Sequence, residues 1–544
     1  MTAERNYPRW FSDCIMSNED AYRTLVKSGS RIGSGFATSE PHSFYAGLWD
    51  HILKADIHDL LIRQALFLAP HRLCVGDAMQ SKGFFAGAAK GSLLSKVNMA
   101  TRKLEGLKRL IDHYEEMRRR RIVIVSPFIG AATNILIPDN AITRTLYPDY
   151  VGRNTTRMGI TDMQSVHFPD GVESLAYDGD ENPKLDTYAI VMTPPDENGE
   201  MSHGPASGGN TDIVERILRL KNTNILLYVN PRYPFTRGYG DARNTLHIDE
   251  FKPLAELGKL FVVEDNAKVP SMPSGSFLNP PKAELQIAEN VVNHMEMNKQ
   301  ETHGRAIQVG FGGTGVLAIK KLKESSWTGR NYSEMLEPFT LDLFEAGRIT
   351  GSHFIERDGR RVQLDGKIVA TFTICEDDSD FYSRLHNNPA IILSSAARVV
   401  IPEGFYGGLG INNCLSIDFN GHVNSGGRYR NHHSGVGGGA MIHRGLLRGG
   451  IAYLVLKSTF TDMQGERRSA IVPFLPEGSP ISHIGPDLIG SLHGAKVFIV
   501  TEHGVARVSA KSQSEMVKAL IGIAHPDFRD ELAKAAWKEY RISV

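Results

Sequence analysis

Cysteine is scarce in this chain: Cys14, Cys74, Cys375 and Cys414 lie far apart and form no CxxC pair. That excludes a zinc ribbon or a dense disulfide framework and fits a reducing cytosol. Net charge is lacking as well, because 61 basic residues balance 61 acidic ones. A role built on long-range attraction to nucleic acid or anionic lipid is therefore not expected. No run of about 18 apolar residues occurs, and the opening MTAERNYPRW has no apolar segment after a basic head. The expectation is a cytoplasmic protein, neither exported nor membrane-spanning. Motifs for several chemistries are missing too. There is no G-x-S-x-G and no P-loop, so serine-hydrolase and NTPase readings have nothing to start from. His432 and His433 are adjacent, which points their rings in different directions on a strand, and no metal site is expected.

What is present is length and apolar content. With 544 residues, 41% of them hydrophobic, the chain can bury a large core and divide into two or three domains. Short β-branched runs, Ile122 to Val125, Tyr188 to Met192, Asn224 to Val229 and Leu260 to Glu264, alternate with helix-like stretches. The pattern predicts α/β architecture with a mainly parallel sheet. The segment KVPSMPSGSFLNPP, Lys268 to Pro281, carries neither period and reads as a connection. The expected division is a first α/β domain over 1–270, a linker over 271–284 and a second α/β domain over 285–544. An echo links the halves: GSRIGSGFATSEP (Gly29 to Pro41) and GRAIQVGFGGTG (Gly304 to Gly315) each read as strand, glycine turn and helix. Such grammar is common in α/β proteins, so duplication and coincidence both explain it. A helix-like piece, KLEGLKRLIDHYEEMRRRR, ends in Arg118, Arg119, Arg120 and Arg121. These four could bind a phosphate, but a solvated helix C-terminus, where cations offset the dipole, is the stronger reading.

Two glycine clusters carry candidate chemistry. GFGGTG at Gly310 to Gly315 matches a dinucleotide fingerprint, with Glu334 as an acidic residue 19 positions past the last glycine. An NAD-dependent dehydrogenase would follow. The stretch before Glu334, SSWTGRNYS, is too polar for the buried strand that presents a ribose-binding carboxylate, and this weakens that reading. Close strand–helix packing with Glu334 as a surface carboxylate is the purely structural alternative. SGVGGGAMIHRG, Ser434 to Gly445, offers consecutive N–H groups suited to an oxyanion or phosphate, or simply a flexible turn.

At NYSEM (Asn331 to Met335) and LDLFEAG (Leu341 to Gly347) the chain resembles the segment bearing the nucleophilic glutamate in the acetyl-CoA hydrolase/transferase family. That family includes 4-hydroxybutyrate, butyrate, propionate and succinate:acetate CoA-transferases. The resemblance continues in order through Gly366 to Phe372, HNNP (His386 to Pro389), Ile411 to Asn424, SGVGG (Ser434 to Gly438), Val500 to Ser512 and Ile523 to Arg529. It is looser at Gly29 to Pro41, Pro194 to Ser202 and Asn230 to Gly238. Residues from about 80 to 150 look like an insertion or divergent segment. The resemblance implies two related CoA-transferase-like (NagB/RpiA-type) α/β domains with the active site at their interface. It implies Glu334 as nucleophile, and backbone N–H groups near Phe311, Gly437 and Gly438 as oxyanion donors, with Asn388 as a further amide donor. Gly310, Gly312, Gly313, Gly435, Gly437 and Gly438 are the glycines it places against coenzyme A. Coenzyme A or acyl-CoA would be a substrate, with no permanent cofactor, and the assembly a homodimer or dimer of dimers.

The chain departs from the family at Gly315, where relatives usually carry proline, and at Gly439 and Met441, where they carry Gln and Asp. The change to methionine bears on substrate choice. A carboxylate with an ordinary pKa of about 4.3 is ionised at neutral pH and needs no general base. The expected reaction moves coenzyme A between an acyl-CoA and a small carboxylic acid through acyl-glutamyl anhydride and glutamyl-CoA intermediates. An acyl-CoA hydrolase is the alternative, and a non-catalytic acyl-CoA-binding protein a more remote one.

Overall fold

The computed structural model describes residues 7–80, 93–130, 133–179, 181–240, 242–270, 280–310, 312–350, 354–357, 360–375, 379–428, 430–462 and 464–544. Two sheets organise it. The first contains β1 (Arg31–Ser34), β2 (Leu61–Gln64), β3 (Val123–Ser126), β4 (Thr161–Met163), β5 (Thr187–Met192), β6 (Asn224–Val229) and β7 (Leu260–Glu264). Their spatial order is β7-β6-β5-β1-β2-β3-β4, with every neighbouring pair parallel. The second contains β8 (Ala306–Val309), β9 (Arg330–Asn331), β10 (Leu409–Asn413), β11 (Ile451–Val455), β12 (Lys496–Thr501) and β13 (Gly504–Arg507). Its order is β9-β8-β10-β11-β12-β13, parallel except for the final β12–β13 hairpin.

The composition of the strands explains their position. β5 and β6 are almost continuous apolar runs, and all of β5 and all but the first residue of β6 are buried, as a parallel strand covered on both faces requires. The helix Leu93–Arg119 covers part of the first sheet with Leu107, Leu110, Ile111, Tyr114 and Met117, spaced so that one face turns inward. The described part of the 80–150 stretch thus supplies β3 as well as this helix. The arginines that end the helix are occupied within the chain. Arg118 donates to Met158 O and Tyr150 Oη, Arg119 pairs with Glu116, and Arg121 with Asp59. Arg120 is buried against Glu116 and Asp56, which corrects the expectation of a wholly solvated end. Most of the 271–284 connection, residues 271–279, lies outside the described residues.

The halves meet through main chain as well as side chains. Thr371 O accepts from Ser207 N and Gly208 N, each at 3.0 Å, Thr373 N donates to Pro205 O at 2.8 Å, and Leu393 N to Arg237 O at 3.0 Å. One apolar cluster runs across this seam from Phe36 and Phe168 to Phe372 and Ile442. Both glycine turns of the sequence echo follow the carboxyl ends of parallel strands, Gly35 after β1 and Gly310 after β8. The carboxyl ends of strands in a parallel sheet are where α/β folds place their ligands. Among the described residues, no helix is long and apolar enough to cross a membrane.

Candidate active site

Glu334 sits between the short strands Arg330–Asn331 and Met335–Leu336, on a segment held at nearly every residue. Tyr332 N donates to Ile307 O, Ser333 N to Val369 O at 2.9 Å, and Ser333 Oγ accepts from Val309 N at 3.2 Å. The carbonyl of Glu334 itself accepts from Thr371 N at 3.0 Å and Thr371 Oγ1 at 2.8 Å. These bonds fix the main chain of Glu334. The residue is 7% exposed, and it borders a cavity of about 320 Å³ lying between the halves. Phe36, Leu66, Phe128 and Phe168 line that cavity from the first half; Gly310, Phe372, Asn412 to Leu415, Ser425, His433 to Gly439 and His483 line it from the second.

The second glycine cluster forms the wall against the carboxylate. A Cβ on Gly438 would come within 2.0 Å of Glu334 Oε2 and 2.6 Å of Val400 Cγ1, so only glycine fits there. The Gly438 backbone N–H faces the carboxylate closely enough to favour its charge. Gly437 takes the left-handed conformation, φ +63°, that this approach needs, and leads into the helix Gly439–Leu446. The loop is fastened to the first half, with Phe168 N donating to Gly437 O at 3.1 Å. A Cβ on Gly435 would meet Pro127 O at 1.9 Å.

Electrostatics change one sequence expectation. Burial raises the Glu334 carboxyl from its ordinary range to about 7, with the Gly438 N–H opposing the shift in part. It is therefore not fully ionised at neutral pH. Glu337, nearby in sequence, is also raised to about 7 by burial, but it accepts from Thr340 Oγ1 at the start of helix Pro338–Glu345 and does not border the cavity. His483 is buried and pushed down to about 3, so it lines the cavity as a neutral ring.

The structure thus brings together Glu334, Gly310, Gly435, Gly437 and Gly438. Gly312 and Gly313 lie just behind, where a Cβ on Gly312 would come within 2.5 Å of Asn413 Nδ2, and Gly313 opens the helix Gly313–Leu322. Phe311 lies outside the described residues. Asn388 is not among the cavity residues: its Nδ2 donates to Arg384 O at 3.1 Å and its Oδ1 accepts from Ala390 N at 3.0 Å, which ties it to its own loop. Sequence reasoning overlooked Asn412, a residue of the cavity lining whose Nδ2 is buried with no partner among the described residues. Its position in the INNC run was the available signal. The four phenylalanines, brought from residues 36, 128, 168 and 372, gave none. Gly439 borders the cavity, whereas Met441 packs against the shared core.

A separate group, Glu40, His42 and His71, has ligand atoms within 4.8 Å of one another. Its geometry reads as an internal hydrogen-bonded cluster. The Glu40 carboxylate accepts from Leu68 N at 2.9 Å and is bonded to His71 Nε2, and the neighbouring histidines hold it below its ordinary range despite burial.

Comparison with known proteins bears on this arrangement. Residues 378–536 match the acetyl-CoA hydrolase/transferase C-terminal domain. The butyryl-CoA:acetate CoA-transferase of Anaerostipes caccae is 27% identical over 363 residues, covering 65% of this chain and 72% of that protein. The 4-hydroxybutyrate coenzyme A transferase of Clostridium kluyveri is 29% identical over 329 residues, covering 56% and 70%. Among solved structures, RipA from Yersinia pestis superposes with a TM-score of 0.67 at 22% identity over 97% of this chain and 98% of its own. A 4-hydroxybutyrate CoA-transferase from Porphyromonas gingivalis gives 0.59 at 18% identity, over 97% and 99%. At such identities these structures establish likeness of fold.

Proposed function

We propose that the chain is a member of the acetyl-CoA hydrolase/transferase family of CoA-transferases and that it moves coenzyme A between acyl-CoA and a carboxylic acid by covalent catalysis at Glu334. The observation that carries this reading is a buried carboxylate touching a glycine loop inside a cavity between the two halves.

Each step balances. A Glu334 carboxylate oxygen attacks the thioester carbonyl carbon, the C–S bond breaks, and CoA thiolate leaves behind an acyl-glutamyl anhydride. The thiolate then attacks the glutamyl carbonyl, the acid departs as its carboxylate, and CoA remains on Glu334 as a thioester. An incoming carboxylate reverses both steps. Carboxylates are weak nucleophiles, so the negative charge that develops on the carbonyl oxygen must be stabilised. One well-placed donor there is typically worth about 3 kcal/mol. The N–H of Gly438, already beside the carboxylate, is the donor at hand. The start of helix Gly439–Leu446 adds a favourable dipole for an anion. Desolvation also raises the energy of the carboxylate before attack, which makes it more reactive once ionised. Chemistry in a cavity between the halves would keep water from the anhydride.

Incubation with acetyl-CoA and labelled acetate, without ATP, tests the reading. Label is expected to enter acetyl-CoA with ping-pong kinetics. Release of free CoA at the same rate with no acceptor acid present would favour the hydrolase instead, and no exchange at all would count against both.

A further inference from the structure

We propose that Glu40 is a positioning residue for Glu334: its buried carboxylate clamps a turn of the first half that docks on the strand beside the proposed nucleophile. This deepens the transferase reading and rests on it.

The path runs bond by bond. Glu40 closes the turn at residues 36–40, in which Ser39 N donates to Phe36 O and Glu40 N to Ala37 O, each at 3.0 Å. Its Oε2 accepts from Leu68 N at 2.9 Å and its Oε1 is bonded to His71 Nε2, so the turn after β1 is tied to the loop after β2. The same turn reaches the second half. Phe36 packs edge-on against Phe372, with ring centroids 5.0 Å apart, and Thr38 Oγ1 donates to Thr373 O at 3.2 Å. The strand Phe372–Thr373 pairs in parallel with Met335–Leu336, which Glu334 immediately precedes. Thr371, just before Phe372, donates to the Glu334 carbonyl from both its N–H and its Oγ1. Glu40 is not among the residues that line the cavity, whereas Phe36 is, so Glu40 acts on Glu334 through the turn.

Packing alone does not call for a carboxylate here. The Glu40 side chain is fully buried, and among the described residues its side-chain partners are the imidazoles of His71 and His42, with no lysine or arginine. Burying a charge costs free energy, and apolar residues of similar volume often replace a buried ion pair without loss of stability. What the carboxylate adds is direction, since charge-assisted hydrogen bonds are short and fix the spacing of the groups they join. The backbone points the same way. Ala37 takes a left-handed conformation, φ +50°, which is uncommon for a residue with a side chain. Such strain persists only where surrounding contacts impose it, and it gathers where fine geometry matters.

Acetate exchange with acetyl-CoA tests the clamp, with kcat normalised to the folded fraction by circular dichroism. Glu40→Ala is expected to lower kcat by at least about 100-fold, the effect of moving a reacting group by about 1 Å, while KM for acetyl-CoA moves by less than about tenfold. Glu40→Gln, equal in length and able to accept from Leu68 N, should recover at least about tenfold of that loss. A smaller fall in kcat, a loss that Glu40→Gln does not recover, or a rise in KM with kcat unchanged each overturns the assignment. If Glu40→Ala does not fold, a cycle of Glu40→Gln and Phe36→Leu decides. Their effects on kcat should depart from additivity by at least about threefold, and additive effects overturn the proposal. Wild type separates the two levels of failure. If it exchanges acetate while these tests fail, only the clamp is wrong; if it does not exchange acetate, the transferase reading falls and the clamp with it.

Discussion

At the scale of single residues, the decisive fact is where Glu334 loses its proton. The NYSEM motif made the residue legible, but a motif carries no dielectric, and the assumption of an ordinary carboxylate missed the effect of burial. With the carboxyl raised to about 7, the proposed attack on a thioester would come only from the ionised fraction, so kcat/KM should rise about tenfold per pH unit below 6 and level off above 8. A rate that stays flat from pH 5 to 8 would contradict the assignment of the nucleophile. The same shift has a stability sign. A carboxyl whose folded pKa exceeds its unfolded value keeps its proton better when folded, so ionisation penalises the fold, fully so above pH 7 and not at all below about 4.5. Glu334→Gln is thus expected to raise Tm at pH 8 and to leave it unchanged at pH 4. Comparison with wild type cancels the similar contribution of Glu337.

At the scale of elements, the alternation of β-branched runs announced the strands closely: Asn224–Val229 and Leu260–Glu264 form as read, and the run at residues 122–125 shifts by one to Val123–Ser126. Parallel strands covered on both faces are conspicuous in sequence because both sets of alternate residues must be apolar. The glycine clusters were visible too, and their purpose becomes clear only in contact. Gly438 is glycine because Glu334 Oε2 occupies the space of a side chain. Gly438→Ala should therefore displace the carboxylate or the loop. A misplacement of about 1 Å costs on the order of 100-fold in rate, so kcat should fall by at least that much while circular dichroism is retained. Activity within tenfold of wild type would show that the contact is not functional. Asn388 shows the limit of reading by motif: the HNNP run was recognisable, yet its amide is spent on Arg384 and Ala390.

At the scale of the molecule, the seam between the halves was the least legible feature. A sequence pattern reports local period, whereas the cavity joins Phe36 to Phe372 and the glycine loop to Phe168 across hundreds of residues. Yet on the proposed mechanism the seam decides what the chemistry yields, because an anhydride or thioester on Glu334 would persist only if water is excluded. Phe36, Phe128, Phe168 and Phe372 share one apolar cluster with both sheets, which closes the inner side. The polar junction is also fixed: Asn154 Nδ2 donates to His432 O at 2.6 Å, and Asn431 Nδ2 to Gly152 O at 3.2 Å. A covalent intermediate should consequently live long enough to isolate. Peptide mass spectrometry after brief incubation with acetyl-CoA and acid quench measures it most directly: the account requires coenzyme A in thioester linkage on the peptide containing Glu334, absent from Glu334→Ala. An unmodified Glu334 peptide in wild type that still exchanges acetate, or the same adduct in Glu334→Ala, would contradict it.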